Sequence, residues 1–515
     1  MQKKSFFLSG LALICALFIF SGCNELVSSL DNPVSSYLTL KQTTTKIYRG
    51  QTYKIEYTTI SDAKPVFKSA DEKIALVDPN TGVITGANKG KTKITVEIPA
   101  TSYYNAASAE FEVEVDALLS VPETAKELAL NEEYDLGVVN QSDGVVTYKS
   151  SNTKVATVDN TGKVTAKAYG DATITISVAA TPKFNRSETV EFAAKVRVFN
   201  FAQLKAYCTA DGITEPVAYL ADNAVIDLTS ELKLTGKKAQ IIGNKEKPAT
   251  IKVTGKSITI DGCFKLANVN VDATGQTASF IKGYKQSSGE TLTKVTSGQY
   301  VVKDSIVLEG IKATNMEKAF FDCNSTAYVY EIFKINDCFV HYKTQGNVVL
   351  NFSSAMAINF KITNSTFYST SAGSANFIAL SGKRPWEVTG YESETGKLIC
   401  DHNTFYNIAA GSKNMFLNTN TLKGQRYLYE MNSNIFVNSS YQKKIYQNMT
   451  NNKKQVTTDG KNTYLYGTTF FAETNYNGDE GLQTDPGFAD AAHGDFTLSK
   501  SSDQYANKTG DPRWR

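Results

Sequence analysis

Apolar and polar positions follow three rhythms along this chain. Phe6 to Phe20 is one apolar run without a charge. From about residue 38 to 198, short segments alternate apolar and polar residues, the period-two pattern of half-buried strands. From Phe199 onward, brief apolar runs alternate with turn residues rich in Asn and Gly, and no stretch shows a clear helical period. The elements predicted are therefore strands almost throughout, and the fold class is all-β.

The second rhythm is a repeat of about 80 residues. Ser69–Thr101 aligns with Ser150–Thr181, so that Val77, Gly82 and Gly90 match Val158, Gly162 and Gly170. Val-Asp followed by Asn-Thr-Gly reads as a strand ending in a tight turn, with Gly supplying positive φ. Thr92–Val96 and Thr173–Ser177 alternate in polarity, and Phe111–Val115 and Val190–Val196 read as last strands. Strands at such spacing predict a β-sandwich in each copy. Both copies resemble group 2 bacterial immunoglobulin-like domains, over 38–117 and 118–198. The resemblance implies spacers or adhesive modules on a bacterial surface protein, and spacers are the expectation.

The third rhythm is a solenoid. FKLANVNV, IVLEGIKA, FKINDCFV, FKITNSTFY, LICDHNTFYN and LYEMNSNIFVN recur between 264 and 438. Anchored on Val271, Ile311, Phe339, Phe367, Phe405 and Phe436, the gaps are 40, 28, 28, 38 and 31 residues. A core period near 28 with insertions is a repeat signature. Second strands fall between the anchors at 319–322, 348–351, 377–380 and 415–418. The prediction for 199–515 is a right-handed parallel β-helix with a C-terminal cap, its stacked turns placing like residues in columns. Asp322, Asn351 and Asn418 are expected in one column. Asn336, Asn364, Asn403 and Asn434 read as turn residues, because Asn tolerates left-handed backbone. With the tail motifs Asp485-Pro-Gly-Phe488, Gly494–Leu498 and Gly510-Asp-Pro-Arg-Trp514, this region resembles the C-terminal β-helix of Bacteroidota-type surface lipoproteins linked to polysaccharide use. The fold it implies is shared with pectate lyases.

The N-terminus reads as an address. Lys3 and Lys4 precede the apolar run, which is short for a membrane span and ends in small residues before Cys23. Phe20-Ser21-Gly22-Cys23 resembles a bacterial lipobox. The resemblance implies a signal peptide at 1–22, lipid on Cys23, a tether at 23–37, and an outer-membrane anchor with the protein facing outside.

Charge removes one partner. Lys and Arg number 54 against 51 Asp and Glu, and without residues 1–22 the count is 52 against 51. A nearly neutral chain has no electrostatic footprint for nucleic acid. Three His argue against a His-built metal site. Cys208, Cys263, Cys323, Cys338 and Cys400 form no CxxC pair and read as buried thiols.

Chemistry is sparse. A polysaccharide lyase needs a cation for the uronate carboxylate and a Lys or Arg base. Between 199 and 510 the only Arg residues are Arg384 and Arg426. Asp401-His402 is the nearest acid–base pair, although strand alternation would point the two apart. The inserted loop 381–391 gathers Lys383, Arg384, Trp386 and Tyr391, a set suited either to stacking on sugars and pairing with uronate or sulfate, or to folding Trp386 over an edge. Lys423, Arg426, Tyr427 and Tyr429 follow one turn later and would widen that face. Lys282–Tyr300 and Asn448–Lys461 read as mobile loops.

The function expected is binding of a polysaccharide, acidic and pectin-like or glycosaminoglycan-like, beside other surface glycan-uptake proteins. One alternative is a lyase acting by β-elimination, with Lys383, Arg384, Arg426, Asp401 and His402 as candidates. A second is a structural or adhesive surface protein. No metal or cofactor is expected, with Ca²⁺ entering only in the lyase case.

Overall fold

The computed structural model describes residues 33–234, 236–283, 300–323, 328–380, 396–410, 416–418, 427–439, 454–465 and 481–515. It separates into two compact units. One holds the chain up to Pro122 with 137–148 and 176–190, and the other holds 123–136, 149–175 and 191–515.

In the first unit, the first repeat is a sandwich. One sheet runs in the order Thr44–Tyr48, Ala107–Asp116, Gly90–Ile98, Val66–Ser69, and the facing one runs Thr52–Lys54, Val83–Gly86, Ala75–Val77. The expected turn forms as the motif dictates. The Asp78 carboxylate accepts from the backbone N–H of Asn80 and Thr81 at 3.0 and 2.8 Å, and Gly82 takes φ 66°. Alternation buries Ile94, Val96, Phe111, Val113 and Val115 with Phe67 and Ile84 between the sheets. Each such side chain contributes about 1.5–3 kcal/mol on leaving water. Glu188 is an exception to polar-outside. It is 8% exposed, meets Arg49 Nη1 at 2.7 Å and accepts from the Leu118 N–H at 2.8 Å, so its charge is buried but partnered.

In the second unit, the matching turn sits at Asp159, whose carboxylate accepts from the N–H groups of Thr161 and Lys163, both at 2.9 Å. A helix absent from the sequence expectation then appears, Phe201–Cys208. Asn200 caps it by accepting from the Gln203 N–H at 3.0 Å, and Phe201, Leu204 and Cys208 face inward. Its period was hidden because eight residues give only two turns.

Beyond the helix, three all-parallel sheets form a β-helix. The first sheet has nine strands, from Val217–Tyr219 to Lys454–Thr458. The second has nine, from Val225–Asp227 to Thr463–Leu465, and the third has seven, from Leu232–Leu234 to Leu417–Asn418. Lys454–Thr458 corrects the expected loop at 448–461: a strand pairing with Tyr427–Asn432 occupies most of its described part.

The interior column of the second sheet is Val271, Ala313, Val340, Phe367, Phe405, Phe436. Four of the six sequence anchors stand in it. Ile311 is two residues early. Phe339 is one residue early, and a one-residue slip reverses the face. Val340 is buried, while Phe339 faces outward. Phe367, Phe405 and Phe436 stack with centroids 5.9 and 5.0 Å apart.

The Asn residues divide into separate columns. Asn364 occupies a left-handed bend between the first and second sheets (φ 50°), stacked with Asn268, Gly310, Asp337, His402 and Ser433. Asn336 ends its strand beside Thr363. Asn403 and Asn434 are fully buried and are not turn residues. Asn403 Nδ2 donates to Asn434 Oδ1 at 2.9 Å, and Asn434 Nδ2 donates to Asn462 Oδ1 at 3.0 Å. Their oxygens also accept backbone N–H groups on the preceding turn, so the ladder satisfies itself. Asp322, Asn351 and Asn418 do share a column, with Ala379 between the last two.

None of Cys208, Cys263, Cys323, Cys338 and Cys400 is joined in a disulfide. Cys208, Cys323, Cys338 and Cys400 are buried, and burial pushes the first three up to about 12, far from thiolate at neutral pH.

Candidate functional site

A groove of about 560 Å³ opens on the outer face of the second sheet, where the C-terminal segment meets it. Its geometry begins with the left-handed bend at Asp337 (φ 53°). The bend is followed by Cys338 inward, Phe339 outward and Val340 inward, so Phe339 becomes the groove floor. Tyr368, on the next strand, lies at 5.3 Å from the Phe339 ring.

The C-terminal residues build the wall. Asp511 caps the short 3₁₀ turn Pro512–Trp514 by accepting from the Arg513 N–H at 3.1 Å. Pro512 suits the first position of such a turn. The turn sets the Trp514 ring 5.8 Å from Phe339, and Trp514 Nε1 donates to Thr366 Oγ1 at 2.7 Å. Thr366 Oγ1 donates in turn to Asp511 Oδ2 at 2.7 Å. Arg513 reaches Asp337 Oδ1 at 2.7 Å and Asp511 Oδ2 at 3.1 Å, with its guanidinium 5.9 Å from the Phe339 centroid.

Burial raises the Asp511 carboxyl to about 6, and the facing Arg513 and Thr366 donors only partly offset it. Behind the floor, His341 stacks on Tyr368 at 4.6 Å. Burial lowers its pKa and favours the neutral ring. Its Nδ1 accepts from the Asn315 N–H at 3.3 Å, which leaves the proton on Nε2 to donate to Thr370 Oγ1 at 2.8 Å.

The groove is cationic at its rim. Lys245, Lys312 and Arg513 line it with one carboxylate, Asp337, which already meets Arg513 and Lys245, the latter at 3.4 Å. Lys312 is exposed and has no ion pair among the described residues. His493, also lining the groove, pairs with Asp490 at 2.8 Å. A second groove of about 380 Å³ adjoins through Asn270, Lys312 and Thr314 and continues to Thr250 and Asp272. Among the described residues, no group of three or more His, Cys, Asp or Glu is placed to hold a metal ion.

None of the sequence-derived candidates is among the described residues that line the groove. Cys23, Lys383, Arg384, Trp386, Tyr391, Lys423 and Arg426 lie outside the described residues. Tyr427 is described only in its main chain, in the first sheet opposite Gly396 and Lys454. Tyr429 is buried in the interior, so it does not extend an aromatic surface. Asp401 and His402 are not splayed apart. The strand ends at Asp401, His402 takes the left-handed bend (φ 54°), and its Nδ1 lies 2.8 Å from Asp401 Oδ1. Alternation applies only within a strand, which is why that expectation failed. Neither residue lines the groove.

Phe339, Arg513 and Trp514 were missed for two reasons. The first was read one register position off, and the others were read as a tail marker. The Asp-Pro-Arg-Trp sequence, a cap followed by Pro, was the available signal.

The model of the bacterial Ig-like domain (group 2) matches residues 36–98 and 135–185. Models of two domains of unknown function match the solenoid, DUF4957 at 221–370 and DUF5123 at 398–514. The chain carries group 2 bacterial Ig-like domains followed by these two. The groove draws residues from both matched stretches. Among curated proteins none matches this chain.

Similar solved structures include domains 4 and 5 of the S-layer protein SbsC, 17% identical over 31% of this chain and 96% of that one, with a TM-score of 0.16. Drosophila N-cadherin EC1-4 is 12% identical over 32% and 50%, at 0.16. Human mucin-like protocadherin EC1-2 is 11% identical over 31% and 98%, at 0.14.

Proposed function

We propose that this is a lipid-anchored outer-membrane protein that binds an acidic polysaccharide in the groove at the junction of the second sheet and the C-terminal segment. The observation that carries this is the meeting of two ligand chemistries in one place. Phe339 and Trp514 offer apolar ring surface of the kind that stacks on sugar rings. Lys312 stands beside them as a cation with no ion pair among the described residues, suited to a uronate carboxylate or a sulfate. Cys23 is the lipid attachment point in this reading, and the Ig-like domains serve as spacers. No helix among the described residues is long and apolar enough to cross a membrane.

The test is a glycan array probed with the protein and with the Phe339→Ala and Lys312→Ala variants, each hit also being read for ultraviolet absorbance. Acidic glycans retained by the parent and lost by both variants are the expected result. Absorbance from unsaturated uronate would convert the binder into a lyase. Loss caused instead by Arg384→Ala and Trp386→Ala would move the site to the inserted loop. Binding to whole cells or proteins, with every glycan silent, would favour an adhesive role.

A further inference from the structure

The groove is unequal at its two ends. At the C-terminal end the segment 482–515 lies on the second sheet and blocks it. Gly494 rests on Tyr368 so closely that a Cβ there would come 2.5 Å from the phenol oxygen. Phe496 packs against both Tyr368 and Tyr406, with centroids 5.2 and 5.7 Å away. Toward the N-terminal turns no such cover exists among the described residues, and the groove continues into its neighbour through Asn270, Lys312 and Thr314. One end is blind and the other is open.

The open part has an order. Phe339, Lys312, Asn270 and Thr250 are register partners on four successive strands. Adjacent strands stand about 4.8 Å apart, so the row from aromatic floor to last hydroxyl is about 14 Å long. Along the row it offers ring surface first, then the cation, then neutral hydrogen-bonding groups, with the Asp272 carboxylate, engaged by Thr274, lining the same open stretch. We infer that the groove recognises the terminus of an anionic glycan chain, not its interior. The terminal sugar lies against Phe339 and Trp514 under the blocked end, a carboxylate or sulfate meets Lys312, and the following residues leave along Asn270 and Thr250. This rests on the glycan-binding reading above and adds the direction and the depth. A row of this length holds about three sugar residues, and a fourth gains little.

The experiment uses the full-length protein in detergent, titrated with galacturonate oligomers of two to eight residues, with polygalacturonate, and with both after chemical blocking of the reducing or the non-reducing end. Heparin oligomers form the sulfate arm. Chain-end recognition predicts affinity per chain that rises to three or four residues and then stays level. It also predicts a loss of about tenfold or more when one particular end is blocked, and a similar loss in Lys312→Ala, the scale of one charge-assisted contact. Affinity that keeps rising with chain length and ignores both blocked ends, while Lys312→Ala still weakens it, overturns end recognition and leaves glycan binding intact. Binding unchanged in both Phe339→Ala and Lys312→Ala removes the groove altogether. No binding of any probe refutes both.

Discussion

One sheet of this molecule wears two different outer faces. Toward the N-terminal turns, the second sheet shows Val225, Thr250, Asn270 and Lys312 in one outward column and Asp227, Lys252 and Asp272 in the next. Toward the C-terminal turns, the same columns hold Thr366, Thr404, Ile435 and Thr463, and Tyr368, Tyr406, Val437 and Leu465. Parallel pairing runs through both halves, and the inner column stays apolar while passing from Val271, Ala313 and Val340 to Phe367, Phe405 and Phe436. The outward side chains change character between the two halves, and with them what covers the sheet among the described residues. Ile435, Val437 and Leu498 form a second small core with Phe488 and Tyr505 beneath the C-terminal segment. Among the described residues the face of Thr250, Asn270 and Lys312 carries no cover, the face with Tyr368, Tyr406, Ile435 and Val437 lies under the C-terminal segment, and the groove lies where they meet.

The comparison breaks first at Phe496, buried among Tyr368, Tyr406, Phe488 and Trp514. Phe496→Ala is expected to cost about 3–5 kcal/mol. The loss should show as hydrogen exchange across 482–515, with the turns before Phe339 still protected. Equal loss of protection in both halves would mean that the cover and the bare turns unfold as one.

The next effect depends on pH. Asp511 has its folded pKa raised to about 6 by burial. The folded state therefore keeps a proton that the unfolded chain gives up near pH 4, and stability falls as pH rises. The contribution is full below about pH 4 and is lost as pH passes about 6, a span of about 3 kcal/mol. Thermal unfolding of Asp511→Asn between pH 4 and 7 should lose that slope. An unchanged slope would assign it to another group.

Asn434→Ala tests the polar interior of the C-terminal turns. It leaves the backbone N–H of Asn403 and one of its amide N–H groups without an acceptor, the other still donating to the Ile362 carbonyl, at about 1–3 kcal/mol for each orphaned group. Denaturant titration should show a lower midpoint. The smallest effect belongs to the bare face: Lys252→Ala should stay within about 0.5 kcal/mol by the same titration. A larger loss there would mean that something covers those turns too.

Much of this was legible in the residues. Val-Asp with Asn-Thr-Gly fixes two φ-positive turns by local chemistry alone, so the sandwiches could be read directly. The solenoid showed through its recurring anchors, and Phe367, Phe405 and Phe436 were placed on the correct face. Phe339 was not, because an aromatic residue in an apolar run reads as core, and only pairing across turns shows the neighbouring Val340 taking that place. The Asn residues looked alike in sequence, yet Asn364 bends the chain while Asn403 and Asn434 bond to one another inside. The candidate site was the least legible part, since Lys245, Lys312, Phe339 and Trp514 come from separate turns and the last residues of the chain.

The sequence by itself determined what depends on near neighbours: strand periods, Gly and Asn turns, the Asn200 and Asp511 caps, and the absence of a strong net charge. The tertiary structure decided what depends on register between turns 26 to 42 residues apart. Slipping one position along a strand reverses every side chain. The choice between core and groove for Phe339 was therefore made by hydrogen bonds to distant strands, not by any property of the residues beside it.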